Sequence, residues 1–189
     1  IDRALVVVSD ADPGHGMSQG FPFSPAGAAL LCGWTGDDYG LGHVHWINLP
    51  DNDETFSATI GLEDRRNVLR VRQSATMDER FATAGSEVAR SCLREASLEL
   101  ADVDMIVAAP ARQEYRAALA THLGVPVDRV TVADDERMHT ASLAAAFHRA
   151  AEELPPGARI LLIAVGAGVT AGAALYRVAP VAASRASRR

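Results

Sequence analysis

Apolar and polar positions along the chain fall into stretches of two different periods. Residues 4–9, ALVVVS, and 27–34, GAALLCGW, are unbroken apolar runs of strand length on either side of a Pro/Gly-rich connection, and they predict two adjacent strands, the first buried and central. Residues 42–49, GHVHWINL, alternate and predict a half-exposed strand, whereas 51–66, DNDETFSATIGLEDRR, reads as a polar surface excursion. The period then becomes helical. Met77, Phe81, Ala84, Val88, Cys92 and Ala96 recur every three or four positions, and Thr76 with Glu79 has capping-box spacing, which predicts a helix over 77–98. Beyond it the pattern predicts strand 105–109, helix 112–123 closed by Gly124, strand 129–133, helix 140–154 and strands 159–165 and 170–178. Such alternation implies a mainly parallel sheet covered by helices on both faces.

The final two strands are joined by GAGV, too short for a crossover helix, so they must run antiparallel. The last strand contains AGAALY at 171–176, and the second strand of the chain contains AGAALL at 26–31, each following an apolar run. The repeat suggests a duplicated fold, with one half complete and only the closing hairpin of the other present. The chain also begins IDRALVVV, directly in a strand and without methionine, so a preceding segment is expected.

Composition narrows the class. At 189 residues, with 48% hydrophobic and 22% charged positions, the chain fits one soluble domain, and no apolar stretch approaches the roughly 20 residues of a membrane span. A formal net charge of -6 gives no reason to expect nucleic acid, since the basic cluster is confined to SRASRR within a tail, 181–189, read as disordered. The two cysteines, Cys32 and Cys92, have neither metal spacing nor disulfide density, which favours the cytoplasm. Both read as packed core thiols.

The blocks RALVVVSD, FSPAGAALL, VDMIVAAPARQEYRAALATHLGVPVDRV, MHTAS and VGAGVTAGAALYRV, in that order, resemble the thiolase-like condensing enzymes, and among them the β-ketoacyl-acyl carrier protein synthase III branch. The last block is similar to that branch's glycine-rich motif at Gly166, Ala167, Gly168, Thr170, Gly172, Ala174, Leu175 and Arg177. The resemblance implies an α/β protein of thiolase-like αβαβα fold, with its second half complete and the terminal hairpin of the first half. Residues 1–50 would then end the first half, 51–66 form the surface excursion and 67–180 make the second half. It further implies a homo- or heterodimer and acyl transfer through a nucleophile in the first half, supplied by a missing N-terminal half or a second polypeptide. No tightly bound cofactor is implied; the substrate is a thioester of coenzyme A or of the phosphopantetheine arm of acyl carrier protein.

Aligned on these blocks, the family's catalytic histidine falls on Ala109 and an asparagine on Arg112, and an alanine can neither donate a hydrogen bond nor carry a proton. A second family asparagine falls on His139, which reads either as a general base, since imidazole titrates near neutrality, or as a structural residue at a helix start. Gly166, Ala167 and Gly168 would direct a backbone N–H at a thioester oxygen, or simply make a tight turn. Gly166, Gly168 and Ala171 also match G-x-G-x-x-A of dinucleotide folds, but that fingerprint needs a following helix and an acidic residue about 20 positions on. His15, His43, His45, His122 and His148 read as surface or structural, and no metal site is expected. Arg112 and Arg116 could meet phosphates or an acidic carrier, or lie solvated on a helix face. Two functions follow: an acyltransferase in polyketide, fatty-acid-like or specialised-metabolite biosynthesis, in which decarboxylative condensation is doubtful, or a non-catalytic ketosynthase-like subunit paired with an active condensing enzyme.

Overall fold

The computed structural model describes residues 2–10, 22–49, 56–166 and 168–180. Strands β1 (Arg3–Asp10) and β2 (Ala26–Gly33) form an antiparallel hairpin. Strands β3 (Gly40–Asn48), β6 (Met105–Ala109), β7 (Val130–Thr131), β8 (Arg159–Gly166) and β9 (Thr170–Arg177) form a five-stranded sheet in the order β3-β9-β8-β6-β7. Its β7, β6 and β8 are parallel, while β9 and β3 add antiparallel at one edge. Between β3 and helix α1 (Met77–Glu95), β4 (Phe56–Glu63) and β5 (Arg66–Gln73) make a separate two-stranded ribbon.

The central strands β6 and β8 are apolar on both faces because both faces are covered. Leu161, Ile163 and Val165 of β8, with Ile106 and Ala108 of β6, pack into the core made by α1 and α2 (Gln113–Leu123). The alternate residues Ile160 and Val107 pack under Ala146 and Ala150 of α3 (Ser142–Glu153). Helix α3 also meets β2, so α1 with α2, the sheet, α3 and the hairpin form four successive layers. Helix α2 ends as its sequence dictates: Gly124 takes φ 74°, a left-handed position, and its N–H returns to the Ala120 carbonyl.

Three expectations are corrected. Strand β1 is not a buried central strand: it pairs only with β2 among the described residues, leaving Leu5 63% and Val7 64% exposed. Within the expected excursion, residues 56–66 are patterned, because Phe56, Ala58, Ile60 and Leu62 alternate with Ser57, Thr59 and Glu63 as β4, and the ribbon straddles the expected boundary at 66; residues 51–55 lie outside the described residues. Its turn places Asp64 and Arg65 at φ 48° and 63°, the two-residue hairpin geometry that Asn-Gly would have announced and Asp-Arg does not. The Thr76–Glu79 capping box does not form; Thr76 bonds Ser74, and Glu79 reaches His122. The expected basic tail at 181–189 lies outside the described residues.

Candidate active site

A cavity of about 1040 Å³ opens between the hairpin, the α3 face of the sheet and the segment leading into α3. Its walls are largely apolar, with Trp46, Phe81, Met138 and Leu162 prominent. Trp46 lies over Gly172, where a Cβ would meet the indole at 3.2 and 3.3 Å, so glycine lets the ring seat on β9. Ala109, Arg112, His139 and Gly166 all line this one cavity. They come from four separate places: the end of β6, the start of α2, the segment before α3 and the end of β8. The carboxyl ends of neighbouring parallel strands commonly hold the site in such sheets.

Ala109 presents only a methyl group. Arg112 is held by Asp78, in the first turn of α1, through a two-pronged contact of 2.8 and 2.9 Å. The hydrogen bond to Asp78 pushes the guanidinium further up from its already high value, outweighing burial, with Asp78, Glu114 and Glu136 adding attraction. Arg116 donates to the carbonyls of Val130 at 2.6 Å and Val127 at 3.1 Å. Both arginines, read from sequence as available for phosphates or solvent, serve internal contacts.

His139 precedes α3, and its carbonyl accepts from the Ser142 N–H at 3.1 Å and the Ser142 hydroxyl at 2.7 Å. The imidazole stacks on Phe23, with ring centroids 4.3 Å apart, and its Nδ1 lies 3.4 Å from Oδ1 of Asp10. Asp10 ends β1 with a side chain 7% exposed, against 54% for His139. Its carboxylate accepts from the Thr140 hydroxyl and from the Ala141 N–H at 3.4 Å. Burial by itself would raise the Asp10 carboxyl, but the Thr140 hydroxyl, the Ala141 N–H, His139 and the Thr140 N–H hold it below the usual carboxylate value. The loop is further clasped to the hairpin by Ser24 N–H to Arg137 carbonyl at 3.0 Å and Arg137 Nε to Pro22 carbonyl at 3.1 Å.

Gly166 pairs with Thr170 across the β8–β9 turn, in which Gly168 takes φ 73° and Val169 49°. Ala167 lies outside the described residues. Strand β9 follows this turn, so Gly166, Gly168 and Ala171 do not open the helix a dinucleotide site requires. Neither cysteine lines the cavity. Cys92 is a buried core thiol, as expected, pushed up by burial and then by Glu95. Cys32 is not packed: it is exposed on β2. His45 contacts Glu95 at 2.8 Å, His122 contacts Glu79 at 2.6 Å and His148 contacts Glu152 at 3.6 Å, while His43 is exposed on β3. His15 lies outside the described residues.

Sequence reasoning missed Asp10, Phe23 and Asp78. Nothing local marks Asp10, which reads as the polar end of a strand, and its partner Thr140 stands 130 positions away.

Residues 93–178 match the family described as 3-Oxoacyl-[acyl-carrier-protein (ACP)] synthase III C terminal. The chain is β-ketoacyl-acyl carrier protein synthase III-like. Over 183 residues this synthase III-like chain is 33% identical to β-ketoacyl-[acyl-carrier-protein] synthase III 2 of Streptomyces coelicolor, an alignment covering 92% of the chain and 54% of that protein. Its fold is thiolase-like: synthase III of Thermus thermophilus superposes with a TM-score of 0.73 at 22% identity, over 93% of this chain and 59% of that one. The priming β-ketosynthase of the R1128 polyketide pathway gives 0.71 at 24%, over 95% and 58%. The synthase III-like chain thus spans about half the length of the curated relatives it matches.

Proposed function

We propose that this chain forms part of an acyltransferase of the ketoacyl synthase III type, which moves an acyl group from a coenzyme A or acyl carrier protein thioester to an acceptor hydroxyl or amine. The observation that carries the reading is His139, among the described residues the one imidazole lining the cavity, which Ala109, unable to assist decarboxylation, also lines. A cysteine or serine outside these 189 residues takes the acyl group: neither Cys32 nor Cys92 reaches the cavity, and the hydroxyl of Ser142, which does line it, is given to the His139 carbonyl at 2.7 Å. His139 then removes the proton of the acceptor as it attacks the acyl carbon, and a backbone N–H of the turn at Gly166, Ala167 and Gly168 steadies the developing oxyanion, which collapses to expel the nucleophile's thiolate or alkoxide with the proton that His139 returns. Specialised-metabolite, polyketide or fatty-acid-like biosynthesis in the cytoplasm is the setting this chemistry suits, and no helix among the described residues is long and apolar enough to cross a membrane.

Residues 1–50 close a first thiolase-like half and 67–180 form the second, so the exposed apolar hairpin is covered by the remainder of that first half or by a second polypeptide, within a homo- or heterodimer. The same hairpin, with Ala109, supports a second reading in which the chain belongs to a non-catalytic subunit that shapes an active partner's acyl tunnel.

The test is acyl loading followed by intact mass on the purified protein and any polypeptide that accompanies it, then transfer to added acceptors. An acyltransferase loads, and His139→Ala loses about 10²- to 10⁴-fold in transfer while loading persists. Transfer that is unchanged in His139→Ala removes His139 from the mechanism, and absence of loading on every polypeptide leaves the non-catalytic reading.

A further inference from the structure

Asp10 stands out within its own strand. The preceding apolar residues Leu5, Val6 and Val7 are all exposed, yet the one carboxylate of β1 is nearly enclosed. An ionised carboxylate leaves water only where charge and donors replace its hydration. Among the described residues the replacements come from 139–141: the Thr140 hydroxyl and the Ala141 N–H donate, and Nδ1 of His139 lies 3.4 Å away. The other charged groups lining the cavity are engaged elsewhere: Arg112 with Asp78, Arg137 with the Pro22 carbonyl, and Glu136 with the Gln113 N–H at 3.2 Å. Asp10 is therefore the carboxylate that addresses the imidazole, and it does so at Nδ1.

An imidazole with a carboxylate at Nδ1 keeps its neutral-form proton on that nitrogen and leaves the Nε2 lone pair free to accept another. Phe23, stacked on the ring face, holds the plane of the ring. We propose that Asp10 is the positioning residue of His139, fixing the Nδ1–H tautomer, aiming Nε2 at the cavity, and holding the imidazolium that forms when Nε2 takes a proton. In that step the acceptor's O–H or N–H bond breaks, the proton goes to Nε2 and the freed electron pair adds to the acyl carbon. The bond from that carbon to the nucleophile's sulfur or oxygen then breaks, Nε2 returns the proton to the departing thiolate or alkoxide, and Asp10 remains ionised throughout. The proposal rests on the general-base reading of His139. It adds a residue 129 positions away in the chain, contributed by the hairpin. The site therefore depends on the hairpin being docked.

The carboxylate also satisfies a backbone N–H at the start of α3, and a purely structural role would end there. The two are separated on the complete protein, with its nucleophile-bearing polypeptide, by selective ¹⁵N-histidine labelling; the His139 signals are assigned by their loss in His139→Gln. The wild type is expected to show His139 as the Nδ1–H tautomer. Asp10→Asn is expected to lose that preference and to lower kcat for acyl transfer about 10²- to 10⁴-fold, with KM within about twofold and loading retained. In a His139→Gln background the same Asp10→Asn change should have almost no further effect, since it acts through the ring. An Nε2–H or evenly mixed tautomer in the wild type overturns the proposal without any variant, which keeps it testable should Asp10→Asn fail to fold. Equal losses from Asp10→Asn in the wild-type and His139→Gln backgrounds overturn it in favour of a structural role. If instead the Nδ1–H tautomer depends on Asp10 but His139→Gln transfers at the wild-type rate, the general-base reading falls and takes the catalytic role of Asp10 with it.

Discussion

The hexapeptide AGAALL in β2 and the hexapeptide AGAALY in β9 differ at one position, pair in the same antiparallel manner, and meet opposite fates. Leu30 is 37% exposed and its counterpart Leu175 8%. Across the two hairpins, Leu5 faces Leu31 and Ile160 faces Tyr176, yet Leu5 is 63% exposed and Ile160 0%. Strand β8 has β6 on its far side, α1 and α2 against one face and α3 against the other, whereas β1 has β2 alone as a strand neighbour among the described residues. Local sequence therefore decides that a strand forms and where it pairs. Burial is set by what is stacked on it.

The matched leucines give the largest expected contrast. Leu175→Ala should cost about 2 to 5 kcal/mol by urea unfolding, and Leu30→Ala less than about 1 kcal/mol, because only the first opens a cavity. Equal losses would mean that the hairpin is buried in solution, by a second copy or otherwise. The cysteines extend the test: Cys32 should be alkylated as an exposed thiol, and Cys92 at least about 100-fold more slowly, since it reacts only when the core opens. Protection of Cys32 on adding a partner polypeptide would locate that partner on β2.

Acid should separate the two hairpins next. Asp10 has a lowered carboxyl in the folded state, so its contribution is present above the unfolded value of about 3.9 and disappears as pH falls through the folded value. Stability measured against pH should fall below about pH 4 with at most about 1.4 kcal/mol per pH unit from this group, and Asp10→Asn should flatten that limb. A limb unchanged in Asp10→Asn would show that the hairpin clasp is not what acid breaks. The smallest contrast lies in the glycines. Gly172→Ala presses on Trp46 at 3.2 Å, but that indole is 67% exposed and can yield, so a loss of about 1 kcal/mol is expected. Gly27→Ala meets nothing nearer than 3.7 Å and should gain about 0.5 kcal/mol by restricting the unfolded chain.

Most of the fold was legible because its elements carry strong periods. The helix of Met77, Phe81 and Val88 and the strand of Ile106, Val107 and Ala108 lie where the pattern places them. The β4–β5 ribbon was missed because a charged flank hides the alternation of Phe56, Ala58, Ile60 and Leu62 and because its turn is Asp64-Arg65. In the candidate site, His139, Ala109 and Gly166 were singled out by the family resemblance of the blocks that hold them, and all three line one cavity. Asp10 and Phe23 were not, since a contact across more than 100 residues leaves no local trace. The pairing of Arg112 with Asp78 stayed hidden for the same reason, as those residues are 34 apart.

The clasp between hairpin and loop also has a meaning in time. Thr140 donates to the Ser9 carbonyl across 131 positions, so the hairpin leaves the ribosome long before the loop that holds it exists. At about 5 to 20 residues per second that interval is roughly 7 to 26 s. A two-stranded ribbon is marginal by itself, so throughout the wait its order, and the cover over Leu5, Val7 and Leu31, must come from something other than this clasp. Production of this half of the fold should therefore respond to translation speed and to chaperones that mask nascent strands.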